Sequence, residues 1–190
     1  MMERKANLLS THDLAYPSES RLEVGDLLGA VRGRASIVGV DVRGVIKLAA
    51  DEEPRRVVRR LRYLYAIQPD RFSYTRSWVP ADFWCGSDPD SVVGLAMKVA
   101  DGINKGESWK IVLKRAKCPS SNLLPLVRIL SHRIARPRPD LMSPDKVLYI
   151  HLIGREAALS LLRLDEMLEI PSQPASFLVD SKGGSEVSVG

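Results

Sequence analysis

Apolar residues recur along this chain at two spacings, every second position and every three to four, and their order predicts alternating strands and helices. Residues 5–10 (Lys-Ala-Asn-Leu-Leu-Ser) read as a first strand. Leu22, Leu27, Leu28 and Val31, with acids between them, predict a helix over 19–31 that ends near Gly33. Ala35-Ser-Ile-Val-Gly-Val-Asp41 and Val45-Ile-Lys-Leu-Ala49 form a hairpin-like pair of strands around Arg43-Gly44. Pro54, preceded by Asp51, Glu52 and Glu53, marks a helix start. Val57, Val58, Leu61, Leu64 and Tyr65 carry its apolar stripe to residue 66, and Pro69 stops it. Residues 72–80 read as a long strand. The order β-α-β-β-α-β is the ferredoxin-like supersecondary pattern.

A second α/β unit begins at Asp88-Pro-Asp90, a cap and first turn, and Val92, Val93, Leu95, Ala96, Val99 and Ile103 predict a helix to about 104. In the strand over 108–115, Trp109, Ile111 and Leu113 share one face, and Lys110 and Lys114 share the other. The next helix spans 122–135, with Leu123, Leu126, Val127, Leu130 and Ile134 inward. Pro125 fits only its first turn, which puts the cap at Ser121 or Asn122. Arg136-Pro-Arg-Pro139 breaks this helix. Apolar strands over 146–153 and 156–163 flank Gly154, and a short helix over 165–169 closes the unit. The fold class is therefore α+β. It comprises a ferredoxin-like unit over 1–85, a second α/β unit over 86–170 and a flexible Pro, Ser and Gly-rich tail over 171–190.

Charge sharpens this outline. From Lys98 to Arg138 there are ten Lys and Arg against two acids, and from Arg55 to Arg76 seven arginines against Asp70. The whole chain carries only +5, so the remainder is strongly acidic. Segregation of this kind is the footprint of a polyanion-binding surface. The plain alternative is two solvated basic faces. Arg55, Arg59 and Arg62 line up at i, i+4 and i+7 as a candidate phosphate rail. Salt bridges to Asp51–Glu53 and to the acids near Glu23–Asp26 are an equal reading. Phe72, Tyr74, Arg76 and Trp78 share one strand face, a core pattern more often than a base-stacking one.

Catalytic signatures are sparse. Gly39 and Gly44 have the P-loop spacing, but Val45 and Ile46 replace the Lys and Ser/Thr that a phosphate and its metal need. No Gly-x-Gly-x-x-Gly follows a strand, and no Ser/His/Asp or Cys/His set assembles. Ser181-Lys-Gly-Gly-Ser185 is glycine-rich but sits in the tail, and Asp140 and Asp145 suit turn and capping roles. His12, His132 and His151 are scattered, and Cys85 and Cys118 fit no zinc spacing, so neither metal nor cofactor is expected. No window reaches transmembrane length and the start lacks the features of a secretory signal, so a cytoplasmic protein without membrane contact is expected.

The second unit resembles the THUMP domain of RNA-modification proteins. The resemblance rests on Trp109-Lys-Ile-Val-Leu-Lys-Arg115, the helix start at Ser120/Ser121, Asp140-Leu-Met-Ser-Pro-Asp145 before an apolar strand, and the lead-in helix from Cys85 to Gly106-Glu-Ser108. The preceding unit resembles the ferredoxin-like one that accompanies THUMP, so the likeness spans about residues 5–170. It is greatest to stand-alone THUMP proteins, including the adaptor for tRNA cytidine acetylation. The resemblance implies binding of the tRNA acceptor end and its 3′ terminus, while a separate acetyltransferase makes 4-acetylcytidine in the D-arm. By position it implies RNA contacts at Lys110, Lys114, Arg115, Lys117, Ser120 and Ser121, with Arg55, Arg59 and Arg62 as a further set.

Independently, Lys110 and Lys114 stand about 13 Å apart along one strand face at ~3.3 Å per residue, enough to span two phosphates. A helix start beside them offers free N–H groups to a third. The expected function is therefore a non-catalytic tRNA-binding adaptor. The alternatives are a THUMP subunit of another tRNA-modifying enzyme (a methyltransferase, thiouridine or pseudouridine synthase), an enzyme with an unrecognised active site, or a module that binds an acidic protein.

Overall fold

The computed structural model describes residues 5–41, 44–115, 124–134 and 139–171. The first unit follows the expected order. It runs β1 (Leu8–His12), α1 (Pro17–Ala30), β2 (Ala35–Asp41), β3 (Val45–Ala50), α2 (Pro54–Ile67) and β4 (Thr75–Pro80). The second contains β5 (Phe83–Gly86), α3 (Pro89–Ala100), β6 (Trp109–Arg115), α4 (Leu124–Arg133), β7 (Lys146–Ile153) and β8 (Glu156–Leu162), and β9 (Leu168–Glu169) follows.

Local chemistry places the helix starts. Proline opens α1, α2 and α3, where its missing N–H costs nothing. The Glu53 carboxylate accepts from the N–H groups of Arg55 and Arg56, and Asp88 accepts from Ser91 at 2.9 Å. Those bonds hold the Asp88 carboxyl below the usual carboxylate range.

The first sheet has the order β2-β3-β1-β4-β9, and the second β5-β8-β7-β6. Every pair in the first is antiparallel, as the ferredoxin-like topology requires. In the second only β6 and β7 run parallel. Two elements differ from the sequence reading. Residues 83–86 are a strand of the second sheet, where a helical lead-in from Cys85 is expected. The segment after β8 is a single 3-10 turn over Leu164–Glu166 followed by β9, which returns to the first sheet beside β4. Too short to show a period, both gain stability from a neighbouring strand, which local pattern does not report.

Alternation along the strands then stacks the molecule in four layers. Leu8, Ile46, Leu48 and Trp78 face α1 and α2. Leu148, Ile150, Leu152 and Leu159 face α3 and α4. The opposite strand faces meet each other: Leu9, Val45, Ile153 and Ala158 form one cluster, and Val79, Val147, Tyr149, Leu162 and Met167 another. The two units are thus packed sheet against sheet. On the β3–β5 side, Lys47 pairs with Glu156 and lies over the Trp84 ring at 5.1 Å, while Trp84 Nε1 donates to the Ala6 carbonyl at 2.8 Å. At one end of the strands the gap between the sheets is open, bordered by Thr11, His12, Gly44, Arg76, Lys114 and Glu169.

Candidate nucleic-acid interface

The face of β6 that carries Lys110 and Lys114 is not a free outer surface. Val112 lies between them and packs into the cluster of Val79, Tyr149 and Leu162, so this face looks toward the first sheet. At the strand's C-terminal end that packing gives way to a cleft of about 450 Å³ between the sheets. Lys114 enters it from β6 and Arg76 from β4, and Arg115 borders it at the end of β6. Lys114 remains nearly half exposed and reaches Glu169 of β9 at 3.2 Å. Arg76 reaches Asp13 at 3.3 Å and also donates to the Ser73 carbonyl at 2.8 Å. Exposed ion pairs of this kind contribute ~0–1 kcal/mol, so a phosphate can replace either carboxylate at little cost.

A bulge delivers Arg76 to this place. Thr11 pairs with Ser77 and His12 with Thr75, which leaves Arg76 as the extra residue of β4. Such bulges break strand alternation and re-aim a side chain. Gly44 also borders the cleft, with φ 88°, and a Cβ there would stand 3.0 Å from the His12 carbonyl oxygen. Glycine is the residue that fits this turn without strain.

Four buried polar side chains, His12, Ser77, Tyr149 and His151, line the cleft. His12, 8% exposed, places Nδ1 2.8 Å from the Asp13 carbonyl oxygen. A carbonyl only accepts, so Nδ1 carries the proton, and in the neutral ring Nε2 is an acceptor. Nε2 is buried and no described group hydrogen-bonds to it. Tyr149, 2% exposed, has its phenol pushed up by burial, with Glu169 adding to the shift and the nearby Ser77 hydroxyl partly opposing it. An unmet buried polar atom costs ~1–3 kcal/mol, so its presence beside an open cleft points to a polar partner there.

The other sequence candidates are distributed differently. Lys110 is half-buried at the far end of the strand, 3.5 Å from the Leu141 carbonyl oxygen. Asp140, whose carboxylate accepts from Met142 and Ser143, holds this loop, and those bonds depress its pKa, with Lys110 adding a smaller push. Lys117, Ser120, Ser121 and Cys118 lie outside the described residues. Cys85 is a free thiol raised by burial, with Asp88 adding to the shift.

Arg55, Arg59 and Arg62 do line one face of α2, but that face is turned toward this chain's own acceptors. Arg55 makes a two-pronged bond to Asp82 at 2.9 and 2.6 Å and also approaches Glu166 at 3.4 Å. Arg59 binds Asp165 at 2.9 Å and Glu166 at 2.8 Å. Arg62 donates to the Met167 carbonyl at 2.7 Å, and Arg60 pairs with Glu52 and donates to the Val31 carbonyl. Engaged in this way, the three arginines form a clamp within the molecule. It ties the first unit to the segment that follows β8, because residues 82 and 165–167 bring carboxylates and carbonyls to the helix.

Of the aromatic strand face, Trp78 and Phe72 are core, and Tyr74 packs on Tyr16 with ring centroids 5.2 Å apart. The sequence reading missed His12, Tyr149 and Glu169 as cleft residues and placed Arg76 on an aromatic strand face. One legible signal was the apolar Val112 between two lysines, which marks a half-buried face. Among the described residues no group of His, Cys, Asp or Glu could hold a metal ion. Among them no helix is long and apolar enough to cross a membrane.

No family model matches the chain, and no curated protein matches its sequence. Its fold is nonetheless shared with solved structures. PH1313 from Pyrococcus horikoshii has a TM-score of 0.57 at 11% identity, covering 86% of this chain and 55% of that one. TrmN from Thermus thermophilus has a TM-score of 0.50 at 17% identity, covering 81% and 44%. A Listeria monocytogenes protein described as a predicted N6-adenine-specific DNA methylase has 0.51 at 10%, covering 83% and 40%. The chain spans about half the length of these proteins or less. The fold is α+β, a ferredoxin-like unit followed by a THUMP-like α/β unit.

Proposed function

We propose that this chain is a tRNA-binding adaptor that holds the acceptor end and presents the tRNA to a separate modification enzyme, an acetyltransferase making 4-acetylcytidine. The observation that carries the RNA reading is the convergence of Lys114, Arg115 and Arg76, from two sheets, on one open cleft. Three cations within one cleft suit a bent, single-stranded phosphate backbone better than a flat duplex face. The likeness in fold to a protein described as a predicted DNA methylase agrees with a nucleic-acid role. Catalysis is assigned to a partner because the sequence writes no nucleotide loop, methyl-donor loop or nucleophile–base set. The choice of an acetyltransferase rests on the resemblance of 5–170 to stand-alone THUMP proteins.

The test is tRNA binding at several salt concentrations, with intact tRNA and with tRNA lacking its single-stranded 3′ end. Tight, salt-sensitive binding that weakens on trimming is expected. Equal binding of the two would remove the acceptor-end assignment, and no salt-sensitive binding would remove the RNA reading. Incubating tRNA and acetyl-coenzyme A with the chain, the acetyltransferase or both should give 4-acetylcytidine efficiently only with both. Modified product from the chain alone would overturn the adaptor reading.

A further inference from the structure

We infer that the inter-sheet cleft reads the sugar of the RNA, and that His12 is the residue that distinguishes ribose from deoxyribose by accepting a hydrogen bond from a 2′-hydroxyl. The inference rests on the tRNA reading above and adds to it a specificity that charge alone does not give.

Three observations combine. Nδ1 of His12 is committed as a donor to the Asp13 carbonyl, which makes Nε2 the acceptor of the neutral ring. That acceptor is buried, and no described group supplies it with a hydrogen. The ring lines the same cleft as Arg76, Lys114 and Arg115, the cations suited to a phosphate. A nucleotide whose phosphate lies among those cations has its ribose next to it, and the 2′-hydroxyl is the donor that RNA has and DNA lacks.

Burial strengthens the discrimination. Nε2 is buried, and an analogue without the hydroxyl leaves this acceptor without its donor. A hydroxyl reaches the ring when the side chains around it give way. The pairs Arg76–Asp13 and Lys114–Glu169 are the ones that an arriving phosphate exchanges. Phosphate capture and sugar reading are in this way parts of one event in one cleft.

The experiment uses the full chain and an acceptor-stem minihelix with a single-stranded 3′ overhang made of ribose, 2′-deoxyribose or 2′-fluororibose units. The native chain should bind the ribose overhang about fivefold more tightly than either substituted one, the effect of one neutral hydrogen bond. His12→Asn keeps an N–H near the Nδ1 position but has nothing at Nε2, and should bind all three overhangs alike. His12→Gln carries an amide oxygen near the Nε2 position and should retain the preference. Thermal unfolding of each variant checks that it is folded.

Equal binding of the three overhangs by the native chain overturns the inference and leaves the tRNA reading intact. Undiminished preference in folded His12→Asn assigns the discrimination elsewhere and also overturns it. No binding of any minihelix overturns the tRNA reading itself. If His12→Asn does not fold, His12→Phe takes its place, and undiminished preference in that folded variant overturns the inference.

Discussion

Two clusters of basic residues look alike in the sequence and differ in the molecule. The arginines of α2 are more numerous, yet Arg55, Arg59 and Arg62 are engaged by Asp82, Asp165, Glu166 and the Met167 carbonyl. The cations at the end of β6 are fewer, yet Lys114 pairs with Glu169 at the mouth of a cleft that Arg76 enters from the other sheet. The difference shows that cation density along a chain measures attraction but not availability. A guanidinium held in a two-pronged bond by a half-buried carboxylate works in the fold. An ammonium with one exposed partner can change that partner for a phosphate.

This contrast predicts opposite consequences for mutations in the two regions. The largest effect is expected at the clamp. Arg55→Leu strands Asp82 and weakens the hold on Glu166, and should destabilise the fold by about 2 kcal/mol, a value discounted from that of a fully buried pair. Urea unfolding measures it, while tRNA affinity per folded molecule should change little. A large loss of affinity without loss of stability would move α2 back into the RNA path.

Next come the cations of β6, Lys114 and Arg115 at the cleft and Lys110 at the strand's other end. Lys114→Ala, Arg115→Ala and Lys110→Ala should each leave stability within about 0.5 kcal/mol. Each that contacts one phosphate should lower the salt slope of tRNA binding by about one. Titrations at several salt concentrations test all three. Unchanged slopes throughout would exclude this strand from the interface.

A smaller effect separates the two kinds of carboxylate. Glu169→Gln frees Lys114 and removes a negative charge from the cleft, so tRNA should bind about two- to threefold more tightly, in keeping with an exposed pair. Asp165→Asn loosens Arg59 outside the cleft and should leave affinity unchanged. Equal responses to the two would blur the distinction between clamp and cleft.

The smallest effect concerns Lys110. Its charge adds slightly to the depression of the Asp140 carboxyl, behind the N–H groups of Ser143 and Met142. Lys110→Gln should therefore raise the Asp140 pKa by a small amount while leaving it below that of a free carboxyl. Nuclear magnetic resonance titration reads this directly, and a downward shift would contradict the arrangement.

Much of the fold was legible because local chemistry specified it. Pro54 after three acids, the Asp88 cap and the alternation in Ala35–Asp41 each give a signal that tertiary packing only completes. Residues 83–86 and 168–169 lacked such a signal, since strands of four and two residues are stabilised by the partners they find. The candidate site was partly legible. Lys114 and Arg115 stand out by charge, while His12 and Tyr149 resemble ordinary residues of apolar strands. The bulge that leaves Arg76 unpaired arises from a mismatch with β1, and no residue type announces it.

The sequence by itself determined the succession of elements, the ferredoxin-like order and the two concentrations of positive charge, because periodicity, capping and composition act within a few residues. Only the tertiary structure decided which cations are spent inside the molecule and which border a cleft. That outcome depends on the two sheets packing face to face, which brings residues 82 and 165–167 to α2 and leaves a cleft at one end of the strands. A side chain's availability is set by its neighbours in space, and those are chosen by long-range packing.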